Sequence, residues 1–115
     1  MIARLMGLKT VSPRDLDRKL RGGEAIAYDC NSPGSFDQAH VPGAIRLDPA
    51  AFGTADLPAD RNARLVFYCS NPFCRKAPNA ARRAGDLGYA NVRVMSAGIQ
   101  GWLKAGLPVE AGSES

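Results

Sequence analysis

Apolar positions along the chain switch between helical and strand spacing. Val11, Leu16 and Leu20 surround Ser12-Pro13, where serine caps a helix, proline suits its first position and Asp15 complements its dipole. Val11 and Leu16 are spaced as a hydrophobic staple, Leu16 and Leu20 share a face, and Gly22 marks the expected stop. The pattern then shortens. Ala25 to Tyr28 reads as a buried strand ending at Asp29 and Cys30, Asn31-Ser32-Pro33-Gly34 as a turn, and Phe36 to Ala39 as one helical turn. Val41-Pro42-Gly43-Ala44 breaks the chain again before a second short strand from Ile45 to Leu47.

After a loop from Asp48 to Ala63, Arg64 to Tyr68 is the clearest strand. The helix behind it, from about Lys76, places Ala77, Ala80, Ala81 and Ala84 on one face, small residues that let it approach a sheet closely. Pro78 fits because it lies in the first turn, and Gly88 closes the helix. Val92 to Met95 is a further strand, and Gly98 to Leu103 a short final helix stopped by Gly106, with Pro108 beyond. Strands alternating with helices at these intervals predict parallel pairing and right-handed crossovers. The expected fold is α/β, a central parallel sheet of about five strands with helices on both faces.

Composition narrows the picture. At 115 residues the chain is expected to form one domain, 1–115, with a core over about residues 10 to 110. The first few residues and the tail Ala111 to Ser115 are expected to be loose. No apolar run approaches the ~20 residues that span a bilayer, and Met1 to Met6 is too short and too broken by Arg4 for a secretory signal. A cytoplasmic protein without a membrane partner is expected. The net charge is +4, with Arg75, Lys76, Arg82 and Arg83 clustered where they would concentrate small anions. A long basic stripe interleaved with aromatics is missing, which argues against nucleic acid as a partner.

Three cysteines, an odd count, argue against a disulfide framework and for reduced thiols with chemistry of their own. Cys69 and Cys74 have four residues between them, but Cys30 and His40 lie far upstream, so no metal is expected. The informative segment is Cys69-Ser70-Asn71-Pro72-Phe73-Cys74-Arg75, which follows the strand and leads into the helix. A helix N-terminus, free loop amides and the Arg75 cation would all favour a thiolate at Cys69. Cys69 is therefore the candidate nucleophile, expected to be exposed at the mouth of a cup of inward-pointing amides. Ser70, Asn71, Pro72, Phe73, Cys74 and Arg75 form the candidate anion-binding loop. Asp29, at a strand end on the same side of the sheet, is a candidate for orienting that loop. His40, the lone histidine, is read as shaping a turn, and Trp102 as packing.

With these pieces in order, the chain resembles a single-domain rhodanese homology domain over about residues 10 to 110. Tyr28-Asp29-Cys30-Asn31-Ser32-Pro33, Phe36 and His40-Val41-Pro42-Gly43-Ala44-Ile45 carry the match, together with Cys69 after its strand and Gly98, Trp102, Gly106 and Pro108 near the end. The resemblance implies a sulfurtransferase needing no cofactor. In such enzymes the thiolate takes sulfane sulfur from a small anionic donor such as thiosulfate. The resulting persulfide passes the sulfur to a thiol, a protein thiol among them, or to cyanide.

Two departures open alternatives. Cys69 to Arg75 is a seven-residue loop, similar to that of the cell-division-cycle dual-specificity phosphatases and of related arsenate reductases. Arg75 there would make the bidentate contact that phosphate and arsenate favour. Cys30 resembles the second, protective cysteine of those phosphatases, so Cys69 would close on Cys30 or on Cys74, whichever lies within ~7 Å by Cα. Asn31 and Ser35 stand where the family carries an arginine and a glutamate, a paired loss read as structural variation. A third reading is a non-catalytic thiol redox sensor or binding module.

Overall fold

The computed structural model describes residues 2–112. A four-residue helix, α1 (Ile2–Leu5), precedes α2 (Pro13–Arg21). Then follow β1 (Ile26–Asp29), α3 (Pro33–Gln38), β2 (Ile45–Arg46), a 3-10 turn at Thr54–Asp56, β3 (Arg64–Tyr68), α4 (Lys76–Asp86), β4 (Asn91–Val94) and α5 (Gly98–Lys104). The capping read from the sequence accounts for the start of α2, where the Ser12 side chain accepts the Asp15 N–H. At Ser32, where a turn was expected, the side chain accepts the Ser35 N–H in the same way, so α3 starts ahead of the helical turn expected from Phe36. Each serine is followed by proline, whose missing N–H costs nothing at a first helical position.

The sheet has four parallel strands in the order β2-β1-β3-β4. About five were expected. Beyond the four strands, the only ones whose positions were read from the sequence, one parallel bridge joins Thr10 to Val94, flanked by hydrogen bonds from Val11 N–H to Val94 C=O (3.0 Å) and from Val94 N–H to Lys9 C=O (2.9 Å). Gly7, at φ 75°, turns the chain just before this contact, and the capped start of α2 ends it just after, so pairing has no room to extend.

The period-2 alternation of β3 divides the core. Leu65, Phe67 and Cys69 face one side with Tyr28, Val94 and the alanine face of α4, Ala77, Ala80, Ala81 and Ala84. Val66 and Tyr68 face the other, packed with Leu16 of α2, Phe36 of α3, Met95 and Trp102 of α5. Helices therefore cover both faces. The amino-terminal residues, expected to be loose, instead form α1, whose Ala3 is buried in the α4-side core. At the other end Glu110 pairs with His40 by backbone and the Gly112 N–H donates to Asp37 C=O, while Ser113 to Ser115 of the expected loose tail lie outside the described residues. Among the described residues no helix is long and apolar enough to cross a membrane.

Candidate active site

The site forms where β3 runs out at the carboxyl end of the sheet, the edge at which open α/β folds assemble their chemistry. Cys69 is the first residue past β3, and the start of the loop that follows is held from two sides. The Cys69 and Ser70 carbonyls accept N–H groups of Ile99 (2.9 Å) and Gln100 (3.1 Å) in the first turn of α5. Gly98 makes that approach possible: it sits at φ 67°, and a Cβ there would fall 2.4 Å from the Ser70 carbonyl carbon.

On the opposite flank the turn after β1 supports the loop. Asp29, fully buried, accepts the Tyr68 hydroxyl (2.6 Å) and the Asn31 N–H (2.8 Å). Tyr68 in turn accepts the Val41 N–H (3.1 Å). The Asn31 side chain then accepts the Ser70 hydroxyl (2.8 Å) and its carbonyl accepts Arg46 Nε (3.0 Å). Asp29 therefore reaches the loop through Asn31 rather than touching it. Burial raises the Asp29 pKa above the usual carboxylate range, with the Tyr68 and Asn31 hydrogen bonds pulling the other way. Asn31 emerges as a junction that the sequence showed only as a turn residue. Its signal was the two-residue spacing from Asp29, which suits an Asx turn.

Cys69 is 3 % exposed, and its Sγ accepts the Ala77 N–H (3.4 Å) from the first turn of α4. It is bonded to Cys74, with Cα atoms 6.5 Å apart. Cys30 is the free thiol, buried in the α4-side core, and burial, then the neighbouring Asp29, push its pKa up to about 12. The two cysteines raised as partners for Cys69 thus separate: Cys74 is bonded to it and Cys30 is not.

The expected cup of free amides differs from what is observed. The Cys74 N–H donates to Asn71 C=O (3.1 Å) and the Phe73 N–H to Asn71 Oδ1 (2.9 Å), so Asn71 consumes two donors in a tight turn, and Pro72 has none to give. The Ala77 amide is the one that faces the sulfur. Phe73 is 75 % exposed at the tip, and Arg75 is exposed, lining a shallow surface depression with Ile2, Leu5, Met6, Asn79 and Arg82 rather than the space beside Cys69. That space is a cavity of about 10 Å³ bounded by Ala3, Cys69, Asn71, Cys74, Ala77 and Met95 among others. It is the size of one water. Helix α1 closes it from above, with Ala3 1 % exposed and the Ile2 N–H donating to Pro72 C=O (3.4 Å). A four-residue helix carries too little periodicity to be read in advance, so sequence reasoning missed this cover.

His40 does not line the cavity beside Cys69 and lies next to Phe36 and Val41 of the core on the α2 and α5 side. Its ring stacks on Phe36 at 3.7 Å between centroids, with Nδ1 2.8 Å from Phe36 C=O. Trp102 is fully buried there and donates Nε1–H to Pro108 C=O (2.7 Å). Both serve packing and turn geometry.

Comparison with known proteins agrees with this architecture. A 105-residue stretch is 33 % identical to the HTH-type transcriptional regulator Rv0324 of Mycobacterium tuberculosis, covering 90 % of this chain and 45 % of that protein, so the chain spans less than half of that relative's length. It is 28 % identical over 105 residues to the thiosulfate sulfurtransferase GlpE of Haemophilus influenzae, covering 91 % of this chain and 97 % of the relative. The human single-domain sulfurtransferase TSTD1 superposes with a TM-score of 0.70 at 24 % identity, over 83 % of this chain and 95 % of that one, a likeness of fold. The family described as Rhodanese-like domain matches residues 12–105. With the parallel sheet, the helices on both faces and the cysteine at the end of β3 in place, the chain belongs to the rhodanese-like domain family.

Proposed function

We propose that the protein is a sulfurtransferase in which Cys69 carries sulfane sulfur as a persulfide. The observation that carries this reading is the placement of the Cys69 Sγ at the end of the central strand, accepting an amide from the first turn of α4. An N–H donor and the positive end of an eleven-residue helix lower the cost of a thiolate, which is the nucleophile. Attack on the outer sulfur of thiosulfate forms the S–S bond of the persulfide and expels sulfite. The same amide then faces a persulfide anion.

The bonded form is the closed state of the site, since its 10 Å³ cavity admits no thiosulfate. Reduction of Cys69–Cys74 is the entry to the cycle, after which the loop and α1 make room for the donor. Arg75, exposed one residue before α4, then has reach to attract a small anion, and a thiol or cyanide serves as acceptor.

Phosphate-ester hydrolysis or arsenate reduction fits less well. A seven-residue oxyanion cradle needs successive amides turned inward, and here Asn71 holds two and Pro72 lacks one. The test is direct. Reduced protein is mixed with thiosulfate, sulfite is assayed, and the protein is followed by intact mass, with an aryl phosphate and arsenate in parallel. Sulfite release that disappears in Cys69→Ser is the expected result. Phosphate release or arsenate reduction without sulfite release would reverse the assignment.

A further inference from the structure

We propose that Cys74 resolves the Cys69 persulfide, so that the sulfur leaves as hydrosulfide and a dithiol reductant completes the cycle. The inference rests on the sulfurtransferase reading and names its acceptor class. Its basis is the juxtaposition inside one loop: Cys69 and Cys74 are bonded, with Cα atoms 6.5 Å apart, while Cys30 is a free and buried thiol. A persulfide built on Cys69 grows from the same Sγ that the loop already brings to Cys74.

The step balances without an added oxidant. The Cys74 thiol attacks the Cys69 Sγ, the bond between Cys69 and Cys74 forms, and the bond to the outer sulfur breaks. The outer sulfur departs with the bonding pair and the Cys74 proton as hydrosulfide. The persulfide is thereby reduced and the two cysteines are oxidised to the disulfide the structure contains. An external dithiol then reopens the loop and is itself oxidised to a disulfide.

The geometry gives the second half a direction. In thiol–disulfide exchange the sulfur that is reached is attacked and the better-stabilised thiolate leaves. Cys69 is buried behind Ala3, whereas Cys74 is partly exposed, beside the exposed Phe73. The Cys69 sulfur, not Cys74, receives the Ala77 N–H. An incoming thiolate therefore meets Cys74 and displaces Cys69, forming a mixed disulfide at Cys74 and regenerating the nucleophile in its anionic form. The second thiol of the reductant then attacks its own sulfur in that mixed disulfide and frees Cys74. A monothiol would need a second molecule to free Cys74, whereas a dithiol completes the exchange within one encounter.

The experiment uses reduced, reductant-free protein with excess thiosulfate under nitrogen, reading intact mass, sulfite and hydrosulfide. Wild type is expected to release one sulfite and one hydrosulfide per chain and to end two hydrogens lighter. Cys74→Ser and Cys74→Ala are expected to release sulfite, keep one added sulfur and yield no hydrosulfide, with circular dichroism confirming that each is folded. Wild type that keeps the added sulfur and forms no disulfide would overturn the proposal while leaving sulfur transfer standing. No sulfite and no sulfur uptake in folded wild type or either variant would overturn both. For reopening, oxidised wild type is mixed with a protein dithiol whose second cysteine is serine. A covalent adduct mapped to Cys74 is expected, and an adduct at Cys69 would overturn the assigned direction.

Discussion

Asp29 shows how one side chain can be structural and still shape a site. Its carboxyl is buried, and its pKa is raised chiefly by that burial. A carboxylate with a raised folded-state value holds its proton more tightly folded than unfolded, so stability falls as pH rises from the unfolded value through the folded one. Asp29→Asn removes this dependence. The variant is expected to lose about 1 kcal/mol for one mismatched hydrogen bond, yet to gain on wild type as pH rises from about 4 to 7. Denaturant titrations of the pair across that range check it, and parallel pH profiles would refute it. Cys30 offers a second test at this scale. With a pKa near 12, its thiolate fraction at pH 8 is on the order of 10⁻⁴. Native protein treated with iodoacetamide at pH 8 is expected to leave Cys30 unmodified until denaturant is added, as peptide mass mapping will show.

The elements were largely legible, and the reasons are local. Ser12-Pro13 announces α2 because capping chemistry acts within three residues, and β3 was read with the bounds it has because both its faces are apolar. The same pair at Ser32-Pro33 was read as a turn, and α3 starts there instead. What escaped was decided by contacts distant in sequence. The bridge of Thr10 to Val94 has no room to become a strand between Gly7 and Ser12, α1 owes its order to the core it covers, and the loop amides were taken up by Asn71 within a turn that no spacing announced. For the candidate site, the position of Cys69 and its loop between β3 and α4 was legible; the cover by α1 and the hydrogen bonds of Asn31 were not. Gly98 carries the sharpest prediction at this scale. Gly98→Ala combines a positive φ with a Cβ 2.4 Å from the Ser70 carbonyl carbon. It is expected to destabilise by more than about 1 kcal/mol and to displace the loop, lowering both the Tm and the rate of sulfite release. A variant that melts with wild type would show that the two backbones part freely.

For the whole molecule the notable arrangement is that the amino-terminal helix joins the loop and the first turn of α4 in walling the small cavity beside Cys69. Residues 2–5 contribute one buried side chain, Ala3, to a core that α4 and the sheet already build. Removing residues 1–6 is therefore expected to cost little stability while raising the rate of Cys69 alkylation in reduced protein at least about tenfold, in keeping with an opening step of about 1.4 kcal/mol removed. Stopped alkylation followed by peptide mapping measures it, and an unchanged rate would place the barrier in the loop itself. Such low-cost local opening is common where a packed fold must admit a ligand.

The hydrogen bond between Ile2 and Pro72 has a practical corollary for anyone who purifies this protein. An affinity handle joined ahead of Ile2 begins beside Pro72 of the Cys69 loop, whereas one joined after Gly112 begins beside Asp37, on the face that packs with α2 and α5. Rates recorded with the two placements would then describe different chemical objects, and only the rear-mounted handle leaves the front door as the chain itself hangs it.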